Sequence, residues 1–416
     1  MRIYQVGGSI RDKLLNKTSQ DRDFVVIGAT EEQMLYEGYQ KVGKSFPVFL
    51  HPQTKEEYAL ARKEIKTGPT HKDFIFKFTP DITLEEDSIR RDFTCNAIYQ
   101  DVQTGELIDY HNGVNDIKNK ILRHVSEHFI EDPLRVLRMC RFSAQLDFDV
   151  APETMKLCKD MVKNGELKHL SKERIWQEFE KALSYPTCYK FVEKARECGV
   201  LKELLPELEY LWEVPERKDY HPEGNSGEHT MLSLKNTQSS DPIVNFTVLF
   251  HDIGKGLTDK KLWPSHQHHA EYGAELIKTI GKRLKTPEKY IKFASYAISK
   301  HMLYHKKIED VKMDLALMAI ELSENQNDSY KNRLIAVMKA DMLGRDLPEF
   351  TSEIEHFNIF KQYLERLIEK ARTISVADLP DFAEVLNKVK KHQLPPSMIK
   401  EIYAEKIIKE TENISV

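Results

Sequence analysis

The feature that most constrains the fold is a change of hydrophobic period at Asp132-Pro133. Ahead of it, Ile3–Val6, Asp23–Ile27, Phe46–Leu50, Tyr58–Arg62 and Phe74–Phe78 are short apolar runs bounded by polar or turn residues, which reads as strands. Ser9–Leu15 reads as a helix after a Gly7-Gly8 turn. Thr30-Glu-Glu-Gln33 and Thr83-Leu-Glu-Glu86 have the form of capping boxes, so each opens a helix, the second running through Arg91. Lys63–Lys72, with Gly68-Pro69 and many charges, reads as a loop. From Asp132 onward the pattern is almost wholly helical, beginning with an N-cap residue and a proline at the first helical position. The chain is therefore α+β: a head with a small sheet, then helices.

The 416 residues leave room for roughly two to four domains at ~100–200 residues each. Trp212–Gly227, with Pro215, Pro222, Gly224 and Gly227, reads as a linker. Lys+Arg 62 against Asp+Glu 66 gives a net charge of −4, and no large part of the chain is strongly basic. Any nucleic-acid partner must be held by local sites and not by a basic coat. No apolar run reaches the ~18 residues of a membrane span, and MRIYQVGG carries no signal-peptide apolar region. Five cysteines without CxxC spacing suit a reducing compartment, which points to the cytoplasm, and give no zinc signature.

Two constellations carry chemistry. The first is Asp21-Arg22-Asp23 at the mouth of an apolar strand. Residues i and i+2 of a strand face one side, and two carboxylates so placed repel unless a cation such as Mg²⁺ lies between them. A polar strand entry would look the same. Just upstream, Gly7-Gly8-Ser9-Ile10-Arg11-Asp12 offers a glycine turn, free backbone N–H groups for an anion and an arginine one turn in, which an ordinary tight turn would share. The Walker ending GK[ST] is missing.

The combination is more specific than its parts. GG-x-x-RD followed by D-x-D on the next strand resembles the nucleotidyltransferase superfamily that includes DNA polymerase β. Arg90-Arg91-Asp92-Phe93-Thr94-Cys95-Asn96-Ala97 resembles the RRDxxxNA motif of the class II tRNA nucleotidyltransferase and poly(A) polymerase group. Glu131-Asp132-Pro133-Leu134-Arg135 resembles that group's EDxxR motif, and VFLHPQTKEEYALAR (48–62) looks like the bacterial CCA-adding enzymes. The resemblance runs from residue 1 to beyond 340 with the motifs in family order.

It implies a polymerase β-like head in which Asp21 and Asp23 hold two Mg²⁺, while Gly8, Arg11 and Arg91 contact a nucleoside triphosphate. Asp132 and Arg135 would read the base edge of CTP or ATP, although Asp132 is also the expected N-cap. Arg138 and Arg141 follow at helical spacing, the three arginines stay on one broad face, and the resemblance implies that Arg138 and Arg141 also bind the nucleotide; a solvated basic stripe would share the pattern. Glu56, Glu57 and Glu64 are unranked candidates for a third carboxylate, and Arg62 for the cleft lining. The implied partners are tRNA, ATP and CTP. The alternative is a poly(A) polymerase of the same group, which usually lacks the second constellation and carries a basic tail.

That second constellation is His251-Asp252 in the apolar stretch VNFTVLFHDIGKG, with His229 upstream and Asp341 far downstream. The order H…HD…D resembles the HD phosphohydrolase superfamily. Histidine with carboxylate suits Mn²⁺, Ni²⁺, Zn²⁺ or Fe. Eight of the 16 histidines lie between His221 and His305. Of these His266 and His269 are further candidate ligands, and His268, His301 and His305 suit outer or surface positions equally well. One bacterial subgroup of CCA-adding enzymes carries such a domain, which implies a transition metal such as Ni²⁺ or Mn²⁺ and phosphatase, 2′-nucleotidase and 2′,3′-cyclic phosphodiesterase activity. The expected organisation is a head at 1–144, a helical tRNA-binding middle at 145–222, an HD domain at 223–345 and a helical tail at 346–416. A monomer or homodimer is expected, with no membrane association.

Overall fold

The computed structural model describes residues 1–18, 22–42, 48–66, 74–324, 328–347, 349–375, 379, 382–395 and 397–412. The chain divides into two compact units, Met1–Ala182 with Thr187–Leu204 and Leu183–Pro186 with Leu205–Val416.

The first unit is built on β1 (Arg2–Val6), β2 (Asp23–Ile27), β3 (Gln40–Val42), β4 (Val48–Leu50) and β5 (Glu57–Leu60). Beyond these come β6 (Lys63–Lys66), β7 (Phe74–Lys77), β8 (Ile98–Asp101) and β9 (Leu107–Asp109). Seven strands form one sheet in the order β3-β4-β5-β2-β1-β8-β9. β1 and β2 run antiparallel from Arg2↔Ile27 to Val6↔Asp23, and β2 and β5 run parallel from Asp23↔Glu57. The strands alternate as a buried sheet requires: Phe24, Val26, Phe49, Tyr58 and Leu60 gather with Met34 on one face, while Tyr4, Val6, Val25 and Tyr99 gather with Leu84 on the other.

Helices α1 (Gly8–Leu14), α2 (Glu31–Tyr36), α3 (Leu84–Ile89) and α4 (Gly113–Lys118) flank the strands. Both expected capping boxes are present, at Thr30/Gln33 and Thr83/Glu86. α3 stops at Ile89, two residues short of the sequence expectation. The expected loop at Lys63–Lys72 is corrected in its first part: Lys63–Lys66 pairs with Phe74–Lys77 as a separate two-stranded ribbon, whose backbone hydrogen bonds override a charged composition. Residues 67–72 lie outside the described residues, as do Phe46 and Asp21.

The helical part of this unit comprises α5 (Leu134–Leu146), α6 (Pro152–Lys163), α7 (Lys172–Leu183), α8 (Tyr189–Glu197) and the short α9 (Val200–Leu204). α5 buries Leu134, Val136, Leu137 and Phe142 and packs on α8.

In the second unit a short α10 (Pro206–Glu209) precedes α11 (Ser226–Asn236), α12 (Pro242–Phe250), α13 (His269–Leu284), α14 (Glu288–Lys300), α15 (Ile308–Ser323) and α16 (Ser329–Leu343). α17 (Thr351–Thr373), α18 (Phe382–Lys390) and α19 (Ser397–Glu412) follow. α12 packs on α11, α14 and α16, while α13 lies along α14 and α15 contacts α17 and α19.

Trp212–Gly227 is not a free linker. A Cβ on Gly227 would stand 2.3 Å from the Trp212 ring, Pro215 bridges to Asn225, and Val214 and Glu216 are buried. Its prolines and glycines shape a tight return that walls the second unit. Among the described residues no helix is long and apolar enough to cross a membrane.

Candidate functional site

In the first unit the Gly7 turn, at φ +80°, carries the chain from β1 into α1 directly above Asp23. A Cβ on Gly7 would sit 3.5 Å from Asp23 Oδ2, so the turn and the carboxylate are neighbours. Asp23 is exposed at the head of β2, and Glu57 stands beside it in register on β5, also exposed. Glu56 is engaged by Arg22 and Thr54. Of the sequence candidates whose side chains are described, Glu57 is the one placed beside Asp23; the side chain of Glu64 lies outside the described residues, as does Asp21, the expected metal partner of Asp23.

Gly8 approaches the Arg11 guanidinium, which is 3% exposed. Arg11 Nη1 donates to Asn96 Oδ1 at 2.8 Å, Asn96 Nδ2 donates to Asp92 Oδ1 at 3.2 Å, and Arg138 donates to Asp92 Oδ2 at 2.5 and 2.8 Å. This chain of polar contacts ties three separate sequence motifs into one network. The Arg11 and Arg138 guanidinium groups both lie about 5 Å from the Phe142 ring centre, at 5.3 and 5.2 Å. Burial opposes ionisation of Asp92, but the Arg138 charge overrides it and holds the carboxyl down at about 2.

Asp87 is the second hub. Fully buried, it accepts from Arg90 Nη2 at 2.7 Å, Arg91 Nη2 at 3.3 Å and the Tyr99 hydroxyl at 3.0 Å. Burial would raise its pKa, yet Arg90 and Arg91 hold it well below the usual carboxylate range. Arg91 also donates to Tyr99 at 2.9 Å, so its orientation is fixed from two sides.

The expected arginine stripe separates into three situations. Arg135 donates to the carbonyls of His128 and Arg90, both at 2.5 Å, Arg138 is bound to Asp92, and Arg141 is buried against Glu178 and Gln145. Arg141 is thereby a strut between α5 and α7, not part of an open basic face. Asp132 does cap: Oδ1 accepts from Leu134 N at 3.1 Å while Oδ2 accepts from Arg174 at 2.8 Å. Each oxygen keeps a second lone pair for another donor. Asp92 and Asn96 stand in the sequence only as members of the RRDxxxNA motif, and Asp87 just ahead of it carries no signal, because acidic and amide residues do not reveal which arginine they will hold.

In the second unit His229 on α11, His251 and Asp252 at the end of α12, and Asp341 on α16 converge. His229 Nε2 is 3.0 Å from Asp341 Oδ1 and 3.7 Å from Asp252 Oδ2. His251 Nε2 is 3.2 Å from Asp252 Oδ2 and 3.5 Å from Asp341 Oδ1. Both histidines are fully buried. Burial disfavours their protonated forms, but Asp252 and Asp341 outweigh it and hold His251 up at about 10; His229 is raised by Asp341 and Glu223. The carboxyl groups are correspondingly pushed well below their ordinary values despite burial. These buried carboxylates and imidazoles could hold a metal ion, which would displace the protons.

Outer groups orient these residues. Glu223 accepts from His229 Nδ1 at 2.9 Å, and Tyr304 donates to Asp341 Oδ2 at 3.2 Å. Lys255, buried, reaches Asp252 Oδ2 at 2.8 Å and Glu216 at 2.7 Å. Sequence reading missed Glu216 and Glu223 because both sit in the stretch whose prolines and glycines suggested a linker. Of the open histidines, His269 and His301 are buried beside Asp252, His266 bonds to Thr258 and the Pro215 carbonyl, His305 lies 3.5 Å from Asp341, and His268 is at the surface.

Comparison with known proteins agrees with this two-part picture. The Poly A polymerase head domain model matches residues 3–123, a model described as the probable RNA and SrmB-binding site of polymerase A matches 147–211, and the HD domain model matches 231–382. The chain is 44% identical over 386 residues to the multifunctional CCA protein of Mannheimia succiniciproducens, covering 90% of this chain and 91% of that one. It is 45% identical over 350 residues to that of Vibrio vulnificus, covering 83% and 86%. Its fold is similar to a solved CCA-adding enzyme with CTP, at TM-score 0.58 and 20% identity over 99% of this chain and 87% of that one. An apo form of a CCA-adding enzyme gives the same TM-score at 22% identity, covering 100% of this chain and 92% of that one.

Proposed function

The chain belongs to the family of multifunctional CCA proteins, and on that premise we propose that it adds C, C and A to the 3′ end of tRNA from CTP and ATP, without a template. The observation that carries this reading is the placement of the Gly7 turn against the Asp23 carboxylate, 3.5 Å from where a Cβ would be, with Arg11 one turn behind. Asp21 and Asp23 would hold Mg²⁺, which would lower the cost of charge growing on the triphosphate during attack by the tRNA 3′-hydroxyl and loss of pyrophosphate. Gly8, Arg11 and Arg91 bind the triphosphate and ribose. Asp132 and Arg135 read the base edge, accepting from an exocyclic amine and donating to a ring acceptor, a pattern cytosine and adenine share. Arg138 and Arg141 hold that helix in place through Asp92 and Glu178. The helical middle, 145–222, binds tRNA.

The second unit contributes a metal-dependent hydrolase through His229, His251, Asp252 and Asp341, acting on phosphomonoesters, 2′-nucleotides and 2′,3′-cyclic phosphodiesters. A divalent ion such as Ni²⁺ or Mn²⁺ would supply hydroxide by lowering the pKa of a bound water. The residues fit such an ion: His251 Nε2 is buried with no hydrogen-bond partner while its Nδ1 is held by the Val248 carbonyl at 2.7 Å. The enzyme works in the cytoplasm.

The deciding experiment is nucleotide incorporation into tRNA lacking CCA, with each triphosphate alone and then mixed. Two cytidylates from CTP alone, and a single terminal adenylate only when both are present, is the expected result. Run-on adenylate without CTP would overturn it in favour of a poly(A) polymerase.

A further inference from the structure

Three arginines converge on one phenyl ring in the first unit. The guanidinium carbons of Arg11, Arg138 and Arg141 lie 5.3, 5.2 and 3.9 Å from the centre of the Phe142 ring. The face of an aromatic ring is negative and attracts a cation within about 6 Å, most strongly where water is excluded. Phe142, Arg11 and Arg141 are all buried. From this convergence we propose that Phe142 is a positioning residue for nucleotide addition, its ring holding the Arg11 guanidinium where it meets the triphosphate. The role of the ring rests on the proposed binding of the triphosphate by Arg11.

The cations reach the ring by different routes. Arg138 stands four residues ahead of Phe142 on α5, a spacing at which helical side chains meet. Arg141 is its neighbour in the chain. Arg11 comes from α1, and only the fold brings it there. Each arginine also has its own polar partner: Asp12 and Asn96 for Arg11, Asp92 for Arg138 and Glu178 for Arg141. The ring is the contact that all three share. Like charges brought together repel. An aliphatic side chain among them would leave that repulsion unopposed, and a carboxylate would cancel the charge that a triphosphate needs. A phenyl ring attracts the cations and leaves their charge intact.

The ring is itself held in place. Phe93 packs against it edge to face, with centres 5.5 Å apart and planes at 79°, and Phe129 packs on Phe93 in the same way at 5.6 Å and 67°. Both are fully buried. Asp92 and Phe93 are consecutive, so one short segment fixes both the carboxylate and the ring that Arg138 touches. Arg11 Nε and Nη2 donate to Asp12 Oδ1 at 2.9 and 2.7 Å, and Nη1 donates to Asn96 at 2.8 Å. Among the described residues these bonds take three of the five N–H groups of a guanidinium, and the other two are available to an anion.

The competing account gives Phe142 a purely apolar role, filling the buried side of α5 with Leu134, Val136 and Leu137. The two accounts differ in sign when fluorine replaces ring hydrogens. Fluorine draws electrons from the ring face, so the attraction for cations falls with each atom added. Shape changes little and the ring becomes no less apolar, so packing alone would be kept.

The test places phenylalanine carrying one, two or three ring fluorines at position 142 of the full chain. KM and kcat are then measured for CTP on tRNA lacking CCA and for ATP on tRNA ending in CC. The expected result is a stepwise rise in KM for both nucleotides, reaching about tenfold with three fluorines. The turnover number stays nearly unchanged, the mark of lost binding and not of lost chemistry. Phe142→Leu, which keeps bulk without a π face, should fall at or beyond the end of that series. KM does not depend on the fraction of chain that folds, so a variant that folds poorly still reports. A flat KM across the fluorine series in a chain that adds nucleotides overturns the role of the ring alone. A chain with its natural Phe142 that adds no nucleotide overturns the proposed function and the role of the ring together.

Discussion

Asp92 accepts two hydrogen bonds from the Arg138 guanidinium, 2.8 Å from Nε and 2.5 Å from Nη2, across 46 residues of chain. Its other oxygen takes Asn96, which in turn takes Arg11. One buried carboxylate therefore sets the orientation of two arginines from the two ends of the head.

Asp92→Asn is expected to cut nucleotide addition at least tenfold and to lower stability. The folded Asp92 sits at about 2, against 3.8 for the ordinary group. A carboxyl depressed on folding stabilises at pH values above 3.8, and the contribution is lost as pH falls through 2. At neutral pH that contribution is on the order of 2 kcal/mol. Denaturant titrations at pH 7 and at pH 2.5 check this: the gap between the two proteins should narrow markedly at the lower pH.

Asp23→Ala should abolish nucleotide addition and spare hydrolysis of 2′,3′-cyclic phosphate, since the two sets of residues lie in separate compact units. Asp252→Ala should do the reverse, and chelation should mimic it for hydrolysis. Loss of both activities from either single change would refute the two-site reading.

Glu57→Gln tests the neighbour of Asp23 on β5. If the carboxylate helps hold a cation with Asp23, addition falls tenfold or more and the Mg²⁺ concentration for half-maximal rate rises. An unchanged Mg²⁺ dependence would return Glu57 to the surface.

Gly254→Ala introduces a Cβ 2.0 Å from the His269 carbonyl and 2.4 Å from the Gly273 nitrogen. Both contacts are backbone, so one side must move, at a cost of about 1–3 kcal/mol or more. Thermal unfolding should show the loss, hydrolysis should fall with it, and nucleotide addition should remain.

The order of the parts is legible along the chain. Capping boxes at Thr30 and Thr83 and the alternation in β1, β2 and β5 depend on neighbours a few residues away, so local pattern sufficed. The H…HD…D order and the arginine motifs likewise named most of the residues that meet. Which partner each charge takes is settled by folding alone. Arg135, Arg138 and Arg141 look equivalent along a helix, yet one bonds carbonyls, one a buried aspartate and one a glutamate on another helix. Glu216 and Glu223 looked like linker residues and became part of a buried charge network. His269 and His301 were two histidines among many until folding set both against Asp252. The reason is physical: a secondary structure is fixed by contacts near in sequence, whereas the neutralisation of a buried charge is fixed by whatever the fold brings within about 4 Å of it.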